Sequence, residues 1–563
     1  MINFRDEIIK IIAGEFDEVE VETLETLIEV PPSPDMGDYA FPTFSFAKVL
    51  RKAPNMIAEE LAGKLKSEFF EKIEAKGPYL NFFINKELMA KLVIDEILEK
   101  ESDFGKSDFG KGKNAIVEFS SPNIAKAFHI GHLRSTVIGN AIRNTYDFLG
   151  FNTIAINHLG DYGTQFGMLI TAYKKWGDEE AVKANPIPEL LKLYVQINQE
   201  AENDESLNEE SREWFRKLEN QDPEAVELWT FFREVSLIEF DRVYKMLGIE
   251  FDSFAGEASY SDKMEPIINE IDDKNMLVES KNAQIVDLEE YNMPPMLIKK
   301  SDGSTLYATR DLAAAQYRWD TYHFYKNIYV VGSQQNLHFK QLFQVLELMG
   351  KDWAKDCVHI PFGMVSLPEG TMSTRRGNVI YLEDVLLTAI EKTKEIIKDR
   401  DIEDKENLAA DIGIGAVVFQ ELFNDRNKDY VFDWDKLLSF EGETGPYVQY
   451  THARICSLLS KGEFDKNSPV DISLLNGDEE FEILKSIYNF EDVIKDAGEK
   501  YQPFFITRHI VSLAQAFNKY YASTSILVDD EELKNARLML CYATKTVIKN
   551  GLGILGIKAP EKM

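Results

Sequence analysis

Cysteine is scarce: Cys357, Cys456 and Cys541 are the only three in 563 residues, and no two form a CxxC pair. That scarcity argues against a disulfide framework or a zinc site, so the three read as reduced structural thiols and no metal-ligating residues are expected. Long apolar runs are also missing, and Met1-Ile2-Asn3-Phe4-Arg5-Asp6-Glu7 lacks the pattern of a secretory leader. A cytoplasmic protein with no membrane partner is expected. Internal repeats and low-complexity tracts are absent from the sequence. Positive charge is in deficit, with 63 Lys and Arg against 96 Asp and Glu giving a net charge of −33. Such a surface disfavours loose nucleic-acid binding but does not exclude placed contacts, because phosphate recognition depends on local basic surface.

What is present is ordinary for a globular protein, 44% hydrophobic and 28% charged, but the length exceeds a single core and implies about three domains. Residues 1–112 read as a small α+β domain, with a helix from Phe4 to Ile12, a strand from Tyr79 to Ile84 and a linker from Glu101 to Lys113. Residues 113–385 alternate strand-like and helical stretches, the pattern of a Rossmann-like, doubly wound parallel sheet. Its strands are expected at Ala115 to Phe119, Ile154 to Ile156 and Ile328 to Val331, with a polar helical insertion between Asp178 and Asp252. Residues 386–563 are helical almost throughout and imply an all-α bundle. The fold class is thus α/β and multidomain, with ligands expected outside the C-terminal ends of the parallel strands.

The first strand feeds a turn, Ser121-Pro122-Asn123, and then a helix from Leu133 to Leu149. His129-Ile130-Gly131-His132 falls where that helix begins. A helix N-terminus offers unpaired N–H groups and partial positive charge, which suit phosphate. Gly131 would let a nucleotide approach the backbone, and two imidazoles would add donors for charge developing on phosphorus. The competing reading is a pair of helix-capping histidines with no ligand.

His129 to His132 resembles the HIGH signature of the class I aminoacyl-tRNA synthetases. Downstream, Thr371-Met372-Ser373-Thr374-Arg375-Arg376-Gly377-Asn378 resembles their KMSKS loop in the form MSTRxGN. Both lysines of that pattern are replaced, by Thr371 and Thr374, so Arg375, Arg376 and Lys126 are the alternative cations for the departing pyrophosphate. By the same resemblance, the strip with Met364 and Val365 lines the adenine, with Met372 and Ser373 also at the ATP. Tyr307-Ala308-Thr309-Arg310-Asp311 and Ser333-Gln334-Gln335-Asn336-Leu337-His338 resemble elements of arginyl-tRNA synthetases, as does His158-Leu159-Gly160-Asp161-Tyr162-Gly163-Thr164-Gln165.

That resemblance implies a pocket in which Asp311 and Tyr307 face a guanidinium and Gln335 contacts the amino acid. Asn123 would hold its backbone, and Gly332 and Ser333 would lie near the ribose. Glu118, Glu257 and His158 are further candidates for the pocket. It also implies tRNA contacts: Tyr79 and Asn81 in the first domain, Tyr447 and Tyr450 in the last, with aromatic packing the competing reading for the tyrosines. The implied activity is ATP-dependent formation of arginyl-adenylate, with Mg2+ accompanying the ATP, then transfer to the 3′-terminal adenosine of tRNA(Arg). Activation would require bound tRNA, and the enzyme is expected to be a monomer. Two rivals remain: a nucleotidyltransferase with a non-tRNA acceptor, and a catalytically silent RNA-binding paralogue.

Overall fold

The computed structural model describes residues 2–15, 24, 26–126, 128–280, 283–299, 307–366, 381–431 and 433–563. Two compact units emerge from the contacts. The larger comprises Gly105–Ala453, Glu491–Val511 and Gly551–Met563; the smaller comprises Met1–Phe104, Arg454–Phe490 and Ser512–Asn550.

A four-stranded sheet organises the larger unit, in the order Cys357–Ile360, Lys326–Val330, Asn114–Glu118, Asn152–Ile156, with every pairing parallel. Ala115, Ile116 and Val117 are fully buried, as a parallel strand covered on both faces requires. The winding reverses between Asn114–Glu118 and Lys326–Val330, where Glu118 pairs with Tyr329. A cleft for ligands opens at the C-terminal ends of such a pair.

The helix expected from Leu133 begins at Gly131 and runs to Phe148. His132 enters its first turn because the N–H groups of His132 and Leu133 donate back to the carbonyls of His129 and Ile130, at 2.8 and 3.0 Å. Gly139 lets this helix close on the strand end, since a Cβ there would lie 2.1 Å from Cβ of Phe119. The insertion forms four helices, Glu179–Ala184, Pro186–Ala201, Glu205–Glu219 and Pro223–Leu247. Asp178, Asp204 and Asp222 cap three of them by accepting backbone N–H groups of the first turn. An antiparallel sheet of Leu277–Ser280, Ala283–Val286 and Met296–Lys299 was not apparent in the sequence pattern.

The smaller unit contains an antiparallel sheet in the order Tyr39–Pro42, Tyr79–Ile84, Phe70–Lys76. The Phe4 ring packs on Phe70 and Tyr488, at 6.2 and 5.2 Å between centroids, and the Phe4 N–H donates to the Tyr488 hydroxyl at 3.1 Å. Lys86 with Asp478 and Lys485 with Asp38, each at 2.7 Å, join the same segments. No helix among the described residues is long and apolar enough to cross a membrane.

Candidate active site

Past Glu118 the chain leaves the sheet through a strained turn. Ser120, Ser121 and Ala125 hold φ of 69°, 47° and 57°, left-handed values that cost a non-glycine residue about 1–3 kcal/mol each. Neighbouring groups hold the turn in place. The Ser120 N–H donates to Ser135 Oγ at 2.9 Å, and the Ser120 hydroxyl shares a 2.8 Å hydrogen bond with Tyr244. The Ala125 N–H donates to Ser236 Oγ at 2.9 Å. Tyr244 and Ser236 belong to the Pro223–Leu247 helix, so the insertion buttresses the turn that leads into the histidine pair.

In that pair, the Gly131 N–H donates to His129 Nδ1 at 3.0 Å and the His129 N–H donates to His132 Nδ1 at 3.1 Å. A neutral imidazole whose Nδ1 accepts carries its proton on Nε2, as in His129; His132 Nδ1 meets both the N–H and, at 3.2 Å, the carbonyl of His129, which suits either tautomer. Burial lowers the pKa of His129; burial, then the neighbouring His129, takes His132 down to about 3. Near neutral pH two uncharged imidazoles therefore stand at the N-terminus of an 18-residue helix, their centroids 4.1 Å apart.

The turn that leads into the pair borders a cavity of about 590 Å³ whose lining includes Ser121, Asn123, His158, Glu257, Asp311 and Gln335. Asp311 accepts from His338 Nε2 at 2.6 Å and has His158 Nε2 at 3.8 Å. Both ring nitrogens of His158 are buried without a hydrogen-bond partner, which marks a place where a ligand can complete the bonding. Burial pushes Glu257 up to about 7, with His158 and Arg310 opposing the shift. Glu118 also lines the cavity, but Arg318 meets its carboxylate at 2.5 Å. Arg318 is thus a resident partner for the Glu118 charge, and Glu118 keeps its place in the cavity wall. Tyr307 starts the helix that carries Asp311, one turn earlier. Sequence reasoning missed His338, although it stood in a quoted motif, and it missed Tyr194 and Tyr329, which also line the cavity.

Gly332 and Ser333 follow the Lys326–Val330 strand, and the Ser333 N–H donates to the Phe362 carbonyl at 3.1 Å. Val365 turns its side chain inward, leaving Met364 exposed, where the Gln334 amide meets its sulfur at 2.9 Å. A later segment fastens this strip. Val365 and Ser366 pair with Tyr430 and Val431, Asp429 accepts the Met364 N–H at 2.5 Å, and Arg426 donates to the Pro361 carbonyl at 2.5 Å. The same segment reaches the histidine helix through a buried network. Arg134 pairs with Glu421 at 2.5 Å and donates to the Lys428 carbonyl at 2.8 Å, while Tyr430 donates to Glu421 at 2.5 Å.

Met372, Ser373, Arg375 and Arg376 lie outside the described residues, as does the Tyr307 side chain. Lys126 holds its ammonium 5.7 Å from the Tyr194 ring. Beyond the signature loop, Tyr381 bridges to His129, and the Leu382 N–H donates to the Phe128 carbonyl at 2.9 Å. In the smaller unit, Tyr79 is half-buried and edge-on to Phe44. Asn81 is only 3% exposed, because it sits mid-strand with a neighbour on either side. Tyr447 and Tyr450 are half-buried in the Gly445–Lys461 helix, and Arg400 and Phe440 flank the Tyr450 ring.

Three family descriptions match the chain: tRNA synthetases class I (R), catalytic domain, over residues 93–434; the DALR anticodon binding domain over 448–563; and the arginyl tRNA synthetase N terminal domain over 3–84. A Halothermothrix orenii protein named arginine–tRNA ligase is 60% identical over 566 residues, covering 100% of both chains. Its namesake in Clostridioides difficile is 57% identical with the same coverage. Among solved structures, Thermus thermophilus arginyl-tRNA synthetase superposes with a TM-score of 0.81 at 25% identity, covering 95% of this chain and 96% of its own. The strand–turn–helix with its histidine pair, the carboxylate-lined cavity and these full-length matches agree: the chain belongs to the arginyl-tRNA synthetase family of class I.

Proposed function

We propose that this protein joins L-arginine to tRNA(Arg) in two steps, activating arginine with ATP and then transferring it to the 3′-terminal adenosine. The observation that carries the reading is Asp311. It lines the cavity beside the switch point and faces two imidazoles, with no lysine or arginine within ion-pair distance among the described residues. A guanidinium supplies the missing cation, through charge-assisted hydrogen bonds. Asn123 and Gln335 orient the amino-acid end.

The arginine carboxylate attacks the α-phosphorus of ATP, forming an acyl-phosphate bond and releasing pyrophosphate. The imidazole N–H groups of His129 and His132 donate to the oxygens on which charge develops, and Lys126, Arg375 and Arg376 neutralise the leaving group. No protein nucleophile is needed; positioning and charge stabilisation carry the step. Gly131, Gly332, Ser333, Met364 and Val365 form the nucleotide's side of the site, with Met372 and Ser373. Among the described residues no group of three or more His, Cys, Asp or Glu is placed to hold a metal ion. Mg2+ accompanies the ATP phosphates. The working form is a monomer in the cytoplasm. Tyr79, Tyr447 and Tyr450 contact the tRNA.

The test is arginine-dependent ATP–pyrophosphate exchange with and without tRNA(Arg). Exchange only in the presence of tRNA supports the ligase and its tRNA-dependent activation. No exchange in either case, with tRNA binding intact, identifies a silent RNA-binding paralogue instead.

A further inference from the structure

Arg310 has no task in the chemistry above, yet it connects two walls of the cavity from behind. It precedes Asp311 on the Tyr307–Tyr322 helix and is only 7% exposed. Its guanidinium carbon stands 4.4 Å from the centre of the Tyr162 ring, and Nη1 lies 3.5 Å from Glu257 Oε2. Tyr162 and Glu257 both line the cavity. The Tyr162 ring is itself held edge-on by Phe215 at 5.4 Å.

Resting on the arginine-binding reading of this cavity, we infer that Arg310 is a positioning residue: seated on Tyr162, it aims Glu257 at the same substrate guanidinium that Asp311 receives. Glu257 needs such a neighbour. The titratable and charged groups around it are His158, Arg310, Asp311 and Asp161, and Asp161 is already engaged by Arg233 at 3.2 Å and by the Ala258 N–H at 2.9 Å. Two carboxylates facing one buried space repel, and burial further favours the protonated acid. Arg310 opposes both effects at a fixed position, because stacking and ion pairing together restrain a planar guanidinium. Without it, Glu257 keeps its proton to higher pH, and less of its charged form is ready when substrate arrives.

The experiment is the pH dependence of the arginine KM in tRNA-dependent exchange by the full-length protein, from about pH 5.5 to about 8.5, with the ATP KM followed in parallel. In the wild type the arginine KM falls as pH rises through about 7, as Glu257 ionises. In Arg310→Gln this fall moves up by about one pH unit or more, so that near neutrality the arginine KM is about tenfold higher while the ATP KM is unchanged. Arg310→Lys, which keeps the charge, brings the fall back towards the wild-type position, and Glu257→Gln abolishes it. A fall that stays in place in Arg310→Gln, with kcat reduced equally at every pH, overturns the inference and leaves Arg310 a packing residue. Should Arg310→Gln fail to fold by circular dichroism, Glu257→Gln decides, since a surviving fall there also overturns it. Absence of arginine-dependent exchange in the wild type defeats the ligase reading first, a result distinct from an unmoved pH profile.

Discussion

Asn123 and Gly160 fit together so closely that a Cβ on Gly160 would lie 2.0 Å from Asn123 Oδ1. Their backbones interlock as well, with the Ile124 N–H donating to the Gly160 carbonyl at 3.2 Å and the Gly160 N–H to the Pro122 carbonyl at 3.1 Å. Gly160→Ala therefore displaces the Asn123 amide. The arginine KM rises about tenfold to a hundredfold, the scale expected when a binding group moves by roughly an ångström. Steady-state exchange kinetics check this, and an unchanged KM would remove Asn123 from the binding site.

His132→Ala removes a donor that acts on developing charge. Turnover falls about a hundredfold to a thousandfold, whereas arginine affinity stays within about threefold. Exchange rates beside calorimetric arginine titrations separate the two quantities. Equal losses in both would place His132 in substrate binding instead.

The same residue shapes acid stability. With His132 held down to about 3 in the fold and near its ordinary value when unfolded, the unfolded chain binds the extra proton between those pH values. The stabilisation is thus complete above about 6.5 and is lost as pH falls towards about 3, by up to about 1.4 kcal/mol per pH unit. Urea midpoints between about pH 7 and 5 drop less steeply in His132→Asn than in the wild type. Parallel slopes would mean that the folded protein protonates His132 freely.

Tyr244→Phe deletes the hydroxyl that Ser120 and the Asn157 amide share, at 2.8 and 2.9 Å. Stability falls by about 1–2 kcal/mol, and turnover falls too, because the left-handed turn loses a restraint. Denaturation and exchange assays on one preparation report both. Normal turnover at reduced stability would show that the turn holds without the insertion.

Arg134→Met and Glu421→Gln each leave a buried partner unmatched and cost about 3–5 kcal/mol. The double variant recovers much of that loss, since both charges are then gone. Equilibrium denaturation measures the cycle, and strictly additive losses would show that the two side chains are not coupled.

Local patterns in the sequence disclosed the strand–turn–helix, the histidine pair and the order of the domains' secondary structure, because periodicity and turn chemistry act over a few residues. They did not disclose the pairs Glu118–Arg318 and Arg134–Glu421 or the support given by Tyr244, since each joins residues more than a hundred positions apart. The burial of Asn81 was hidden for a related reason. A motif fixes which residues stand in a strand, but only the pairing of Tyr79–Ile84 on both sides decides which are sealed inside.

Phe4 rests on Tyr488, and Phe104 offers its carbonyl to the Asn550 amide at 3.0 Å. During synthesis from the N-terminus, residues 1–104 thus wait until the chain has grown through Asn550, a delay of tens of seconds or longer at common translation rates. Until then the Phe4 face and its neighbours have no lasting cover on the ribosome. For this unit, the hazard in the cell is the interval before completion, and slowed translation late in the message would lengthen it.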